Sequence, residues 1–402
     1  MDADYRPLTL DDYEQANDLE SVAFYNRPRP EVLDRMKQFF PPEWTLGAFV
    51  DGRLVADVRT IPMARRLNGR ATPLGAVGPV VCAAAYRRQG HIGRLLRLAL
   101  EDMRSRGIAL SGLHTPHDAL YRRYGWERAE GKRRYVFRAK DLQLRFRGRR
   151  GATEALTADG WQQLEEVYRE YAGPRNGPLH RVEPWWRHVV LEDWESKPRD
   201  AVLWRSPEGR PEGYVVYGPQ PSATDPRRHD LMVRDMVSVS PDAYLGLWEH
   251  LATHDIALNL VVELAPDDPF PDLLEDPWRI EFQRGEGAMI RVVDVERVLS
   301  MRPYAGQRPV SLTMRIVDDA APWNDGVWLI EAADGRMQAA RQEDGEADVE
   351  LSVNFLAPLF TGHLRAATAA ATGMLRVHNP PAVAALAEAF AVTFPPYCND
   401  WY

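Results

Sequence analysis

The sequence predicts an α/β fold of mixed sheets divided among several domains, with an α+β unit at the C-terminal end. Three observations carry that prediction. A chain of 402 residues is long for a single core and suggests two or three domains. Over the first 145 or so residues, strand-like runs alternate with helical periodicity, and the same order repeats loosely in the middle of the chain. From about Val292 a different order begins, with four strand-like runs followed by three helical ones.

Thr9 and Asp12 form a capping box with Asp in place of Glu, opening a helix that runs to about Phe24. A short helix is expected near Glu31–Phe39, stopped by Pro41 and Pro42. Trp44–Val50 and Arg53–Pro62 read as a hairpin around Asp51-Gly52. Asn68-Gly69 marks another tight turn, and Leu74–Cys82 a further strand. Ile92, Leu95, Leu96, Ala99, Leu100 and Met103 keep the spacing of one helix face, so Gly90–Arg106 reads as a helix with Gly107 just past its end. Ile108–Leu113 is a short buried strand, Tyr121–Trp126 a short helix and turn, and Tyr135–Ala139 a strand closing the first sheet.

The basic run Arg145–Ala152 reads as a solvated connector. Beyond it come a helix over Ala158–Tyr171, the Trp185-Trp186 pair, and strands near Ala201–Trp204, Gly213–Tyr217 and Asp230–Val239. A helix over Pro241–Thr253 and a strand over Leu258–Leu264 complete the middle region. In the last unit Val310–Val317, Gly326–Ile330, Gly335–Ala340 and Asp348–Val353 read as strands. Helices follow near Phe355–Phe360, Leu364–Thr372 and Ala382–Phe390.

Composition narrows the function. The chain is 45% hydrophobic and 27% charged, the balance of an ordinary globular protein. A net charge of −8 argues against a general nucleic-acid binder, which carries a basic face, but leaves room for an acidic pocket that attracts cations. Two cysteines, Cys82 and Cys398, make neither a disulfide scaffold nor a metal-type spacing, so no metal is expected. Met1-Asp2-Ala3-Asp4-Tyr5 lacks the basic and apolar regions of a signal peptide, and no run of 18 apolar residues suggests a membrane span. A cytoplasmic enzyme is the expectation.

The most informative segment is Val80–Arg94, where an apolar strand leads through a basic, glycine-containing turn into a strongly amphipathic helix. A helix start offers unpaired N–H donors and a positive dipole end. Gly90 and Gly93 let a ligand approach the backbone, and Arg87, Arg88 and Arg94 add charge. Together they suit a pyrophosphate. The turn is neither a Walker A loop nor a dinucleotide fingerprint. The plainer alternative is a surface helix start with exposed arginines.

Arg87-Arg88-Gln89-Gly90-His91-Ile92 resembles the acetyl-CoA loop of the GNAT superfamily of N-acetyltransferases, with Ile92 where the general pattern has Gly or Ala. The form Arg-Arg-x-Gly-x-x-x-Arg resembles one branch more closely, the enhanced intracellular survival (Eis) family, over the full length of the chain. That resemblance implies an α/β (α+β) chain of two tandem GNAT-like domains, 1–145 and 152–291, followed by a sterol-carrier-like domain, 292–402. It implies acetyl-CoA as co-substrate, with Val80, Val81 and Cys82 pairing with the pantetheine arm. Arg88, Gln89, Gly90, His91, Ile92 and Gly93 would hold the pyrophosphate. It also implies a homohexamer.

Amine acetylation needs a base to free the amine lone pair and an acid to protonate the departing thiolate. Leu120-Tyr121-Arg122-Arg123-Tyr124-Gly125-Trp126 resembles the superfamily segment whose first tyrosine sits beside the thioester sulfur, which implies Tyr121 as the acid and leaves Tyr124 to the core. Pro116 and His117 fall where this branch contacts acetyl-CoA. No internal Asp or Glu stands out as base. In the resembling family the C-terminal carboxylate takes that role, here on Tyr402, where the family usually has Phe, and the sterol-carrier-like domain delivers it. The tail PPYCNDWY has the stiff, aromatic character of an anchored segment, whereas ordinary termini fray. Phe24 and Tyr25 fall where the family lines its substrate groove, His114 lies before Tyr121, and Trp44, Asp400 and Trp401 are further candidates for substrate contact. In the middle domain, Asp235–Gly246 has Asp242 where basic residues would be needed, so this half is not expected to bind CoA. The reading is an N-acetyltransferase acting on a small primary amine (an aminoglycoside or a polyamine-like molecule) or on a lysine side chain. The competing reading is a lipid- or small-molecule-binding protein on a vestigial acetyltransferase scaffold.

Overall fold

Long-range strand pairing sorts the chain into three sheets. The structure is a computed structural model that describes residues 3–38, 40–147, 150–193, 198–343 and 345–402. Phe39, at the end of the expected second helix, and Gly148 and Arg149 of the basic run lie outside the described residues. So do the first two residues of the chain.

The first sheet collects β1 (Asp4–Pro7), β2 (Thr45–Val50), β3 (Arg53–Leu67), β4 (Arg70–Cys82), β5 (Leu110–Leu113) and β6 (Glu127–Arg128). The chain then builds a second sheet from β7 (Gly131–Phe137), β8 (Ala152–Leu156), β9 (Asp200–Arg205), β10 (Pro211–Pro221), β11 (His229–Ser238), β12 (Leu260–Leu264) and β13 (Glu281–Glu286). It returns with β14 (Met289–Val292), which inserts between β5 and β6 to give the order β1-β2-β3-β4-β5-β14-β6. The second sheet has the order β13-β7-β12-β11-β10-β9-β8. A third, five-stranded sheet of β15 (Val310–Val317), β16 (Gly326–Ala333), β17 (Arg336–Gln342), β18 (Val349–Ser352) and β19 (Arg376–Val377) runs β17-β16-β15-β18-β19.

These pairings divide the chain into two compact units. One takes the chain up to Glu130, Ala288–Thr393 and Trp401–Tyr402. The other takes Gly131–Gly287 and Phe394–Asp400. The strand expected at Tyr135–Ala139 to close the first sheet therefore forms at Gly131–Phe137 and pairs with β12 and β13 in the second. Local pattern gives a strand its periodicity but not its partner. β14 is buried throughout, and its Arg291 donates to both oxygens of Asp318, at 2.8 and 2.6 Å, and to the Tyr124 carbonyl at 2.8 Å. That buried cation fixes the returning strand in the first sheet.

In the first unit α1 (Tyr13–Ala23) and α2 (Pro30–Gln38) precede β2, and the expected capping box is present at Thr9 and Asp12. Helix α3 (His91–Ser105) buries Leu95, Leu96, Ala99, Leu100 and Met103 against Ala56, Val58, Val77 and Leu113. Each of its larger apolar side chains contributes roughly 1.5–3 kcal/mol by leaving water. Tyr13, Ala16 and Phe40 pack with Phe49 and Leu54 in a separate cluster. Helix α4 (Asp118–Arg122) follows β5. Later, α8 (Val295–Met301), α9 (Val353–Thr361), α10 (Ala366–Ala371) and α11 (Ala382–Ala389) accompany the third sheet. The second unit carries α5 (Trp161–Ala172), α6 (Glu183–Trp185) and α7 (Pro241–Ala252).

Candidate active site

The site begins with a fork. Parallel strands β4 and β5 pair only at Leu74↔Leu110, Gly75↔Ser111 and Ala76↔Gly112. Beyond Ala76 one edge of β4 stays bonded to β3, while among the described residues the other edge has no strand partner as far as Cys82. Val80, Val81 and Cys82 lie on this stretch, paired with Val58, Asp57 and Ala56 of β3 on its other edge.

The open edge leads to the start of α3. Arg88 has φ of 63° and Gly90 φ of 89°, so the turn passes twice through the left-handed region that glycine tolerates and arginine rarely adopts. Strain of this kind is found where a loop is held for a ligand. Arg94 N donates to the Gly90 carbonyl at 3.1 Å, which leaves the N–H groups of His91, Ile92 and Gly93 as the helix's unpaired donors. Arg88 is exposed, and among the described residues its guanidinium makes no hydrogen bond or ion pair. The other candidates are partly committed. Arg87 Nε donates to the Cys82 carbonyl at 3.2 Å, Gln89 Nε2 to the Ala85 carbonyl at 3.1 Å, and Arg94 lies 4.2 Å over the Tyr5 ring. His91 is buried, with Nδ1 2.8 Å from Tyr5 Oη. Gly93 is small for a packing reason, because a Cβ there would stand 2.3 Å from Tyr124 Oη. Tyr124 thus covers the helix, as its reading as core implies.

Tyr121, on α4, is 8% exposed and belongs to the same core cluster as Val77 and Leu113, against which Val80 and Cys82 also pack. Burial alone pushes its phenol up to about 12, so it holds its proton at neutral pH. Among the described residues that phenol has no hydrogen-bond partner. Helix α4 is pinned by Asp118, which accepts from Arg128 at 2.6 and 2.9 Å. Pro116 and His117 are exposed on the loop before it.

The last two residues of the chain lie at the fork. Trp401 stacks on His114, with ring centroids 4.4 Å apart at 23°, and Tyr402 meets His114 edge-on at 4.9 Å. Both diverging strands present a glycine to Tyr402. A Cβ on Gly112 of β5 would stand 2.6 Å from Tyr402 Oη, and one on Gly78 of β4 would stand 3.9 Å from the Tyr402 carbonyl oxygen. The structure so brings together His114, Trp401 and Tyr402. Phe24 and Tyr25 are 56% and 96% exposed and make no ring contact with that group. Trp44 lies under Arg106 at 4.2 Å.

Asp400 corrects an expectation. It is fully buried and offers nothing to a substrate. Its carboxylate accepts from Arg181 Nε at 3.1 Å and Trp185 Nε1 at 2.8 Å, and Arg181 also donates to Asp235 at 2.5 Å. Within this second unit, β11 and β12 pair only at Leu231↔Leu260 and Met232↔Val261 and then diverge, forming another fork. The segment Tyr397–Asp400 spans it. Arg234 on β11 donates to the Asn399 carbonyl at 2.7 Å and accepts from Asn399 Nδ2 at 2.5 Å, while Tyr397 Oη donates to the Glu263 carbonyl on β12 at 2.8 Å.

One group escaped the sequence reading. Asp57 on β3 is fully buried, both its carboxylate oxygens lack a hydrogen-bond partner among the described residues, and burial holds its carboxyl well above the usual range. Neighbouring Arg59 is ion-paired with Glu20 of α1. The available signal was an acid inside the apolar run Leu54-Val55-Ala56-Asp57-Val58.

Residues 4–129 match the model of an acetyltransferase (GNAT) domain, residues 177–292 match a second such model, and residues 295–399 match a sterol carrier protein domain. The N-acetyltransferase Eis of Mycobacterium tuberculosis is 25% identical over 338 residues, 80% of this chain and 79% of that one. The chain is thus a homologue of the Eis N-acetyltransferases, with two GNAT domains and a sterol carrier protein domain. An uncharacterized N-acetyltransferase of Streptomyces avermitilis is 26% identical over 343 residues, 82% of each chain. The crystal structure of Eis1 from Mycobacterium abscessus superposes with a TM-score of 0.81 at 23% identity, covering 99% of this chain and 100% of that one. The chain is accordingly an acyltransferase, with two mixed-sheet GNAT domains and an α+β sterol-carrier-like domain. Among the described residues no helix is long and apolar enough to cross a membrane.

Proposed function

We propose that this chain moves the acetyl group of acetyl-CoA to a primary amine at the β4–β5 fork, with Tyr121 as general acid and the Tyr402 carboxylate as general base. The observation that carries the reading is Tyr402, whose ring and main-chain oxygen lie against glycines on both diverging strands. Those strands frame the open edge that leads to the Arg88 turn. Acetyl-CoA fits this surface. Val80, Val81 and Cys82 offer strand-like hydrogen bonds to its amide-bearing arm, and Arg88 with the N–H groups of His91–Gly93 offers donors to its pyrophosphate. Gln89 and Gly90 shape that turn, and Pro116 and His117 flank the cofactor from the opposite loop.

In the reaction the amine attacks the thioester carbonyl. A C–N bond forms, the C–S bond breaks, the Tyr402 carboxylate accepts the proton lost by nitrogen, and the Tyr121 phenol protonates the departing sulfur. Burial keeps the Tyr121 phenol protonated at neutral pH, so its proton is present when the sulfur departs. His114 and Trp401 form one wall of the acceptor pocket, and Phe24 and Tyr25 guard its approach. The acceptor is a small amine or a lysine side chain. The fork formed by β11 and β12 takes no CoA, because Tyr397–Asp400 occupies it. The family resemblance further implies a cytoplasmic homohexamer, which light scattering behind size-exclusion chromatography tests.

The test is acetyl-CoA turnover over a panel of amines and lysine peptides, comparing wild type with Tyr121→Phe and a form extended beyond Tyr402. Both changes are expected to remove most activity while acetyl-CoA still binds. Full activity in the extended form would refute the carboxylate base.

A further inference from the structure

The second unit's fork is not filled completely. Beyond the segment Tyr397–Asp400, toward the start of α7, a cavity of about 550 Å³ remains, bordered by the ends of β11 and β12 and by α5. That volume lies in the range of small-molecule sites. The corresponding region of the first unit has exposed arginines and open N–H donors. Here Ser240 already caps the helix by accepting from Ala243 N, Pro241 has no N–H to give, and Asp242 adds negative charge to the first turn. A phosphate therefore finds no cradle at this helix start.

The charged lining is net acidic, with Asp267 and Asp268 against the single cation Arg175 among the described residues. Asp268 Oδ1 accepts from Tyr244 Oη at 2.5 Å and from Phe270 N at 3.0 Å, whereas among the described residues Oδ2 accepts no hydrogen bond. A carboxylate has capacity for about four such bonds, so this oxygen retains acceptor sites. Arg175 offsets its charge only in part, as the weakest of the influences on its carboxyl. Arg175 Nη1 stands 3.6 Å from Asp267 Oδ2, and the guanidinium is sandwiched at 4.3 Å from the Tyr171 ring and 4.5 Å from the Phe394 ring. Burial pushes the Asp268 carboxyl up, which signals a carboxylate short of compensating donors. The walls around it are apolar and aromatic, including Met236, Leu264 and the Tyr171 and Tyr244 rings.

We propose that this cavity binds a small organic ammonium ion, with its charged head on Asp268 Oδ2 and its apolar body between Tyr171, Tyr244 and Leu264. An ammonium supplies the N–H donors and positive charge that the carboxylate lacks, and aromatic faces attract the same cation. A carboxylate or phosphate ligand would meet Asp267 and Asp268 as like charges. The site is separate from the transfer reaction and needs neither acetyl-CoA nor Tyr121.

The test is calorimetric titration of the full chain with phenethylammonium, with phenethyl alcohol and phenylacetate as neutral and anionic counterparts. Wild type is expected to bind the ammonium at least about tenfold more tightly than either counterpart, the scale of one charge-assisted hydrogen bond. Asp268→Asn is expected to weaken that binding about tenfold or more. Leu245→Trp, which fills the cavity without touching a carboxylate, is expected to abolish it, with circular dichroism confirming the fold of each variant. An acceptor held in the other unit is insensitive to both substitutions, so a wild-type signal that both variants retain overturns the proposal. Equal affinity for the alcohol, or no binding to wild type, overturns it as well.

Discussion

Replacing Gly112 by alanine tests whether the placement of Tyr402 matters to the chemistry. The added Cβ would stand 2.6 Å from Tyr402 Oη and 3.2 Å from Ile290 Cδ1. Ordinary contact begins near about 3.5 Å, so the Tyr402 ring must withdraw by about 1 Å. A misplacement of that size in a catalytic group lowers the rate about 10²-fold, or about 2.7 kcal/mol in the barrier. Overpacking of this kind costs about 1–3 kcal/mol of stability, which a thermal melt reads independently. The KM for acetyl-CoA is expected to hold, because the Arg88 turn is untouched. Gly78→Ala is the matched control. Its Cβ would meet Tyr402 at 3.9 Å, an ordinary contact, so kcat is expected to stay within about twofold of wild type. Steady-state kinetics on the three proteins decides the matter. If Gly112→Ala keeps wild-type kcat, the position of Tyr402 is irrelevant to turnover and the proposed base is wrong.

Other outcomes follow from the same contacts. Tyr121→Phe is expected to lower kcat by about 10²–10⁴-fold with acetyl-CoA affinity unchanged, measured by turnover and equilibrium binding. Its stability has a pH signature of definite sign. The folded Tyr121 phenol is raised from 10.0 to about 12, so it contributes roughly 3 kcal/mol below pH 10 that is lost as the pH climbs through about 12. Denaturation midpoints should therefore show wild type losing ground to Tyr121→Phe between pH 8 and pH 11.5. Arg88→Ala is expected to raise the acetyl-CoA KM about tenfold, with kcat retained and the effect shrinking in high salt. Asp400→Asn removes a buried charge from the Arg181 pair and is expected to cost about 3–5 kcal/mol in chemical denaturation. The Asp400 carboxyl is held below its ordinary value, chiefly by Arg181 and Arg234 overcoming burial, so that stability is present above about pH 4 and lost as the pH falls further.

The two forks place the tail in a physical context. In the first unit, the edge of β4 beyond Ala76 has no strand partner among the described residues, and Tyr402 lies beside Gly78 on that strand. In the second, the equivalent gap is closed by Tyr397–Asp400, whose polar groups meet Arg234, Glu263 and the buried Arg181. A gap between diverging strands leaves backbone donors and acceptors that must find partners, and either a ligand or the chain itself can supply them.

The sequence by itself determined the features that depend on near neighbours. The amphipathic helix α3, the hairpin at Asp51-Gly52 and the glycine-containing turn at Arg87–Arg94 follow from periodicity, turn chemistry and helix-end geometry, all of which act within a few residues. The short helix carrying Tyr121 was legible because its motif is local. The tertiary structure alone decided which strands pair, and so moved β7 into the second sheet and returned β14 to the first. It alone showed that Gly93 is small because of Tyr124, that Asp400 is bound to Arg181 rather than open to substrate, and that Asp57 is buried without a hydrogen-bond partner among the described residues. It alone set Tyr402 against Gly78 and Gly112, residues about 300 positions away in the chain. Strand partners and buried ion pairs are contacts at long sequence separation, selected by burial and hydrogen-bond satisfaction over the whole fold, and the local pattern carries no record of them.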